Sequence, residues 1–529
     1  MKEVSPRPNV KPPRNFGPQD RYYTTSRIRR GLVYYLSGRG ITVFAAVLVP
    51  LLLVRVLSIA DYAGYTAFSG ILMLLVIVSD AGIERVIPRY LPELRNRGAE
   101  VELRWTCRCL LLIKTGCLIM SLGMVVLCYP AIAKWLKLSS SVSLVWVFAI
   151  YAFGFNMSRV ISMSLQTLML QKQAAIGMAL EWYLKLFVLL AVLFFLKKVD
   201  LLGALLIQGC TAVVGMFYML WQLERHFFLQ KDLVSSLPTG ILDWRPMLKT
   251  GLQNYLWVLS GVYSRPATIK LVSAYFFNPE TTATLGFAYA IATVIQRYTP
   301  SFLLDKIIEP TIMAKYTESY DFKQSARYLS IILKINLLIL IPLASWFYLH
   351  GAVVVDFITK GKYPASVWII SWLLVILMMQ SLTDMLRHAS NAVQKSELLF
   401  HSNLKTLLLL VPAAGLIYFF KLPGLLASMS IIVVFRNVFI AMRLHDYGYD
   451  FSPDWVGIGK IIVTTVIALL LARVLVLGVT TDLSKGIINL VFGLIIYFGL
   501  VLILSPFSWS ERQTINNLLG RQWFKLIPR

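Results

Sequence analysis

The chain of 529 residues predicts an all-α polytopic membrane protein of about 14 transmembrane helices, built as two six-helix lobes plus two C-terminal helices. Three observations carry that expectation. First, 57% of the residues are hydrophobic and only 15% are charged, whereas soluble domains average about 45–50% apolar and about 25% charged residues; the mean hydropathy is +0.69. Second, the apolar residues come in runs of about 20, the length a helix needs to cross a bilayer at roughly 1.5 Å per residue. Third, the formal charge of +25 forms no compact basic domain of the kind nucleic-acid binding uses; the basic residues punctuate the ends of the apolar runs.

In order along the chain, residues 1–30 read as a cytoplasmic basic tail. They are polar and proline-bearing, with Arg21, Arg27, Arg29 and Arg30 just before the first apolar run; a signal peptide would place a short apolar core there. The N-terminal lobe, 31–222, holds runs at about 32–55, 63–83, 108–129, 142–163, 177–196 and 201–222. A charged cytoplasmic linker, 223–249, contains Pro238 and Gly240. The C-terminal lobe, 250–444, has runs at about 250–276, 284–308, 329–350, 366–386, 400–420 and 424–443. Helices 13 and 14 fall in 445–506, at about 459–479 and 487–506, and a cytoplasmic basic tail, 507–529, follows.

Lys and Arg collect on the cytoplasmic side of membrane proteins. With the N-terminus inside, the inner segments hold about 32 of the 51 Lys and Arg and the outer loops about 9. An even number of helices then puts both termini in the cytoplasm. The longest outer loop, about 351–365, leaves little room outside the bilayer for a catalytic centre. No GxxxxGK[ST], HExxH or GxSxG motif is present, and the five cysteines have no metal-ligand spacing; they read as reduced, packed thiols. The reading is therefore a transporter, not an enzyme, with no catalytic or metal-binding residues and no nucleic-acid partner.

The stretch 57–94, LSIADYAGYTAFSGILMLLVIVSDAGIERVIPRYLPEL, has a polar turn at 58–61, an apolar run, then a basic segment with Pro88 and Pro92. Its turn "LSIADYAGY" and its "SDAGIERVIPRYLPE" exit resemble the second helix of the polysaccharide-transporter (Wzx-type) lipid-linked oligosaccharide flippases of the MOP superfamily. The helix count extends that resemblance over nearly the whole chain. It implies a flippase that moves undecaprenyl-diphosphate-linked oligosaccharide across the bacterial inner membrane for O-antigen, capsule or exopolysaccharide assembly, by alternating access of a cationic central cavity. The implied partners are the polyprenyl-diphosphate-linked glycan, membrane lipids, and a polymerase with other polysaccharide-assembly proteins. No cofactor is implied; proton or sodium coupling stays open. A lipid II flippase and a drug exporter of the same superfamily remain alternatives, and a membrane glycan polymerase or ligase is the alternative of a different class. A weak internal repeat accompanies the pattern: residues 58–61 correspond to 278–281, about 220 residues on, which suggests parallel halves.

Ionisable residues inside a membrane are costly and face a bundle interior or a hydrated cavity. Those within the runs are mostly basic, which suits an anionic substrate, because Arg presents a donor fork matched to phosphate oxygens. Tyr35 and Arg39 share a face of helix one, and Arg39 lies between Gly38 and Gly40. Helix seven carries Asn254, Gly261 and Arg265 at helical spacing, with Lys270 further on. Pro266 should kink that helix and act as a hinge. Arg297 lies in helix eight, two turns before Asp305. The candidate substrate-binding residues are thus Arg39, Arg265, Lys270, Arg297, Asn254 and Tyr35, with Pro266 as hinge. Glu181 and Lys185 read as a self-neutralised i,i+4 pair. Lys114, Arg159, Lys334 and Arg436 read as side chains snorkelling to the inner surface.

Overall fold

A computed structural model describes residues 25–96, 100–139, 141–229, 244–302, 312, 316, 321–475 and 482–519. Eighteen α-helices and no strands occur among them. They are α1 (Thr25–Val56), α2 (Ile59–Val78), α3 (Ile83–Asn96), α4 (Glu100–Leu127), α5 (Tyr129–Leu136), α6 (Val142–Thr167), α7 (Gln171–Leu196), α8 (Leu201–Leu229) and α9 (Trp244–Ser260). There follow α10 (Pro266–Phe276), α11 (Pro279–Arg297), α12 (Phe322–Thr359), α13 (Ser366–Ala392), α14 (Glu397–Thr406), α15 (Leu410–Asp446), α16 (Trp455–Leu475), α17 (Asp482–Leu504) and α18 (Trp509–Leu519). Within the described residues, each of the fourteen apolar runs falls mainly on helix. By length and apolarity nine described helices can cross a membrane, or ten if the bent pair Val491–Leu504 and Trp509–Asn516 forms one span. The runs at 400–420 and 424–443 are separated within α15, because Lys421 (φ 50°, ψ −123°) is non-helical and kinks the chain just before Pro423. The fold is therefore an all-helical, multi-pass membrane fold.

Backbone contacts divide the chain into two units. The first comprises residues 1–49, 72–134 and 139–259; the second comprises 50–71, 135–138 and 260–529. In the first unit α6 lies against α8, with Ser158 donating its hydroxyl to the Ala212 carbonyl at 3.0 Å, the kind of small polar contact that joins helices in lipid. After α2, a turn through Ala81 and Gly82 leads into α3. Gly82 has φ +81°, and a Cβ there would lie 2.1 Å from the Gly251 carbonyl oxygen, so only glycine fits this crossing with α9. Asp80 caps α3 by accepting from the Gly82 and Glu84 N–H groups. α3 is amphipathic as a surface helix should be: Ile83, Val86, Ile87, Leu91 and Leu94 are buried, while Arg85 and Arg89 are not.

In the second unit the turn before α2 and the turn before α11 are built alike. Ser58 Oγ accepts from Asp61 N at 3.1 Å, and Asn278 Oδ1 accepts from Thr281 N at 2.9 Å. Both are side-chain N-caps, at the two positions the repeat pattern pairs. Lys362 donates to the carbonyls of Arg55 and Leu57 at 2.8 Å each, and Tyr363 is buried against Tyr62 and Phe287. Gly286 lets α11 meet α2, since a Cβ there would lie 2.0 Å from Thr66 Oγ1. Asn336 on α12 bridges Ser301, just after α11, and Ser381 on α13, a polar contact between helices.

All five cysteines are free thiols. Cys107 is buried, whereas Cys128 and Cys210 are exposed, so packing describes only part of the set.

Candidate functional site

Helix seven is broken where Pro266 predicts a kink, and the break is longer than one proline requires. α9 ends at Ser260, a single 3₁₀ turn runs Val262–Ser264, Arg265 is extended (φ −81°, ψ 150°), and α10 restarts with Pro266 at its first position. Proline is suited to that place, because the first turn of a helix has no use for its missing N–H. The break corrects one expectation: Asn254 and Arg265 do not share a continuous helical face. Asn254 lies on α9 in the first unit, half-buried. Arg265 is exposed at the break in the second unit. A cavity of about 30 Å³ beside Pro266 is lined by Ser264, Tyr289, Gln296, Gln380 and Met429, among others, space on the scale of one water.

Lys270 lies one turn further along α10. Its Nζ donates to Ser69 Oγ on α2 at 2.9 Å, and Ser69 in turn donates to the Thr66 carbonyl at 2.8 Å. The positive charge of Arg297, at the end of α11, acts on Lys270, and the Arg297 side chain is exposed. Thus Arg265, Lys270 and Arg297 are all carried by the second unit, on the interrupted helix and its successor. Guanidinium and ammonium groups of this kind can bind an anion. Tyr35 and Arg39 lie in the helical stretch of α1, but their side chains lie outside the described residues, as does Asp305.

Four other intramembrane cations were expected to snorkel, and the structure corrects this for Lys114 and Lys334, which have no exposed surface. Lys114 has no exposed surface and donates to Ser79 Oγ at 3.0 Å. Arg159 makes a two-pronged pair with Glu84, each contact 2.9 Å. Lys334 has no exposed surface and bonds Asp454, Glu511 and the Pro506 carbonyl. Arg436 is half-buried, with its Nε fully enclosed. Glu181 and Lys185 pair as expected, at 3.3 Å. The missed partners Glu84, Asp454 and Glu511 all lie outside the apolar runs, where a search for intramembrane charges does not look.

A groove of about 1010 Å³ in the second unit is lined by Tyr348, Leu349, Trp368, Trp372, Val466 and Leu470, with His350 and two serines. Its mostly apolar wall suits an alkyl or isoprenoid chain, not a diphosphate. Among the described residues no group of three or more His, Cys, Asp or Glu side chains could hold a metal ion.

The family profile described as "Polysaccharide biosynthesis protein" matches residues 28–304, more than half of the chain. The chain belongs to that family. The matched segment runs from the start of α1 to just past α11, so it includes the broken helix and the Lys270 and Arg297 positions. No curated protein matches the sequence. Among solved structures, the family member is similar to the lipid II flippase MurJ in its inward closed conformation, at TM-score 0.55 and 12% identity, over 92% of this chain and 100% of that one. It is also similar to an inward-facing multidrug resistance MATE family transporter of the MOP superfamily, at TM-score 0.62 and 13% identity, over 79% and 99%. A third likeness is to a mutant of the Vibrio cholerae MATE transporter VcmN, at TM-score 0.52 and 13% identity, over 80% and 99%. The fold of this polysaccharide biosynthesis family member is thus like that of MurJ and the MATE transporters.

Proposed function

We propose that the protein is a flippase that translocates undecaprenyl-diphosphate-linked oligosaccharide across the bacterial inner membrane, for O-antigen, capsule or exopolysaccharide assembly. The observation that carries this reading is that Arg265, Lys270 and Arg297 all lie on an interrupted membrane helix and its successor, in a member of the polysaccharide biosynthesis family. A diphosphate and a string of hydroxyls cannot cross hydrocarbon unaided. A cationic, hydrated cavity would receive them while the polyprenyl tail stays in lipid, and alternating access would carry the head group over. Arg39 and Tyr35 on helix one and Asn254 on α9 are further proposed substrate-binding residues, carried by the first unit, and Pro266 serves as the hinge of helix seven. The protein changes no covalent bond of its cargo.

A lipid II flippase is the second reading. The likeness to MurJ supports it, because that likeness extends over 92% of this chain, against 79% and 80% for the two MATE transporters.

The test is polymer export per molecule of membrane-inserted protein. Arg39→Ala and Arg265→Ala should abolish surface polysaccharide while the protein still accumulates, and Arg→Lys should be intermediate, since lysine keeps the charge and loses the fork. Near-normal export per molecule for both alanine variants removes these two residues from the site. Rescue of a strain lacking its lipid II flippase, without restored polysaccharide export, selects the second reading.

A further inference from the structure

The break in helix seven carries a second cationic feature, separate from Arg265, Lys270 and Arg297. The segment 261–265 is held by α14. Tyr263 donates its hydroxyl hydrogen to the Asn403 carbonyl at 3.0 Å and shares a short hydrogen bond with Thr406. Asn403 Nδ2 donates to Ser260 Oγ at 3.2 Å, and a Cβ at Gly261 would lie 2.9 Å from that nitrogen. Against this polar knot α15 brings Arg436, near enough for its charge to act on Tyr263.

Arg436 differs from the other intramembrane cations. Lys114, Arg159, Lys185, Lys270 and Lys334 each have a hydrogen-bonding partner. Among the described residues Arg436 has none, and its enclosed Nε has no acceptor. Asp384 acts on it only at a distance and lies 3.7 Å from Arg387. Nor is α15 free to turn the side chain away. The adjacent Asn437 accepts from Thr383 Oγ1 at 2.6 Å and donates to the Met379 carbonyl at 2.9 Å, which fixes α15 against α13. A guanidinium offers five donors and keeps its charge at any physiological pH. The enclosed Nε finds no acceptor, and the terminal nitrogens of this half-buried side chain are open to a ligand.

We propose that Arg436, on α15 with its enclosed Nε unbonded, binds a phosphate oxyanion. The fork of donors matches phosphate oxygens two at a time, and the choice of phosphate over carboxylate rests on the flippase reading above. The phosphate comes either from a lipid-linked diphosphate or from free anion.

The experiment uses the purified full-length protein in phosphatidylcholine nanodiscs. Thermal unfolding is followed while undecaprenyl diphosphate, inorganic pyrophosphate or undecaprenol is titrated. The proteins are wild type, Arg436→Gln, Arg436→Lys and, as control, Arg108→Gln, whose side chain is exposed and paired with Glu224. Wild type and Arg108→Gln should be stabilised by a phosphate-bearing ligand and not by undecaprenol. Arg436→Gln should bind at least about tenfold more weakly, the scale of a lost charged hydrogen bond, and Arg436→Lys should fall between. Without ligand, Arg436→Gln should melt no lower than wild type, because it discards an uncompensated charge. A merely structural arginine predicts a lower melting temperature with unchanged affinity, and that result overturns the proposal. So does binding by Arg436→Gln within twofold of wild type, or no binding of either anion by wild type. Arg436-dependent binding of undecaprenyl diphosphate alone assigns the site to the lipid head group. Arg436-dependent binding of pyrophosphate alone keeps the oxyanion site and removes the flippase reading.

Discussion

Replacing Lys334 by methionine tests how the last two membrane helices are secured. The Lys334 Nζ sits 2.7 Å from Asp454 Oδ2, 2.6 Å from Glu511 Oε2 and 3.0 Å from the Pro506 carbonyl, with the Phe507 ring centroid 5.0 Å away. One ammonium on α12 thereby joins the turn before α16 to the segment after α17. Methionine keeps the volume of the stem and removes the charge. The Glu511 side chain is only 8% exposed, so it is left buried without its counter-charge. Removing one partner of a buried pair costs about 3–5 kcal/mol. Two details place the expected loss near the lower end. Glu511 keeps a hydrogen bond from the Ser508 N–H at 2.8 Å. Asp454 is 35% exposed, so its share is closer to a surface pair at about 0–1 kcal/mol. Lys334→Met should therefore lose about 3 kcal/mol. The double variant Lys334→Met/Glu511→Gln carries no orphaned buried charge and should regain about 2 kcal/mol of that loss. The assay is reversible unfolding in mixed micelles titrated with dodecyl sulfate, read by far-UV circular dichroism. A loss under about 1 kcal/mol, or a double variant no more stable than the single, would refute the reasoning.

Two further outcomes are expected. The same clasp should be acid-sensitive. Burial alone would raise the Asp454 carboxyl, but the Lys334 hydrogen bond and charge and the Gly457 N–H outweigh it and hold the group below its ordinary 3.8. Its folded value is depressed, so its contribution is present above the unfolded value and lost as pH falls through the folded one. Wild-type stability should show an acid step below about pH 4 that Asp454→Asn shrinks, measured by unfolding at a series of pH values; an unchanged step contradicts this. For orientation, a reporter active only outside the membrane should work when fused near Tyr363 and fail near Arg95 or Lys315, and activity at Arg95 would reverse the topology.

Local sequence was enough for the class of the protein and for the nine or ten described helices that can cross a membrane. Hydropathy and helix rise are local quantities, so a run of about 20 apolar residues declares a membrane helix without knowing its neighbours. The turn residues are equally local: Ser58 and Asn278 act as caps within three residues of themselves, and Pro266 announces the break in helix seven. The stretch 57–94 was enough to indicate the family.

Tertiary structure decided how the charges are settled. Lys334 meets carboxylates 120 and 177 residues away, and Arg159 meets one 75 residues away. Their depth in the apolar runs suggested snorkelling, because a one-dimensional pattern gives a distance to the bilayer surface and not to a partner. The length of the helix-seven break was also hidden. Pro266 specifies where α10 can restart, but α14 holds the preceding 3₁₀ turn through Asn403 and Thr406, which lie about 140 residues downstream. Charge compensation in a membrane is a contact between spans, and only the folded chain brings those spans together.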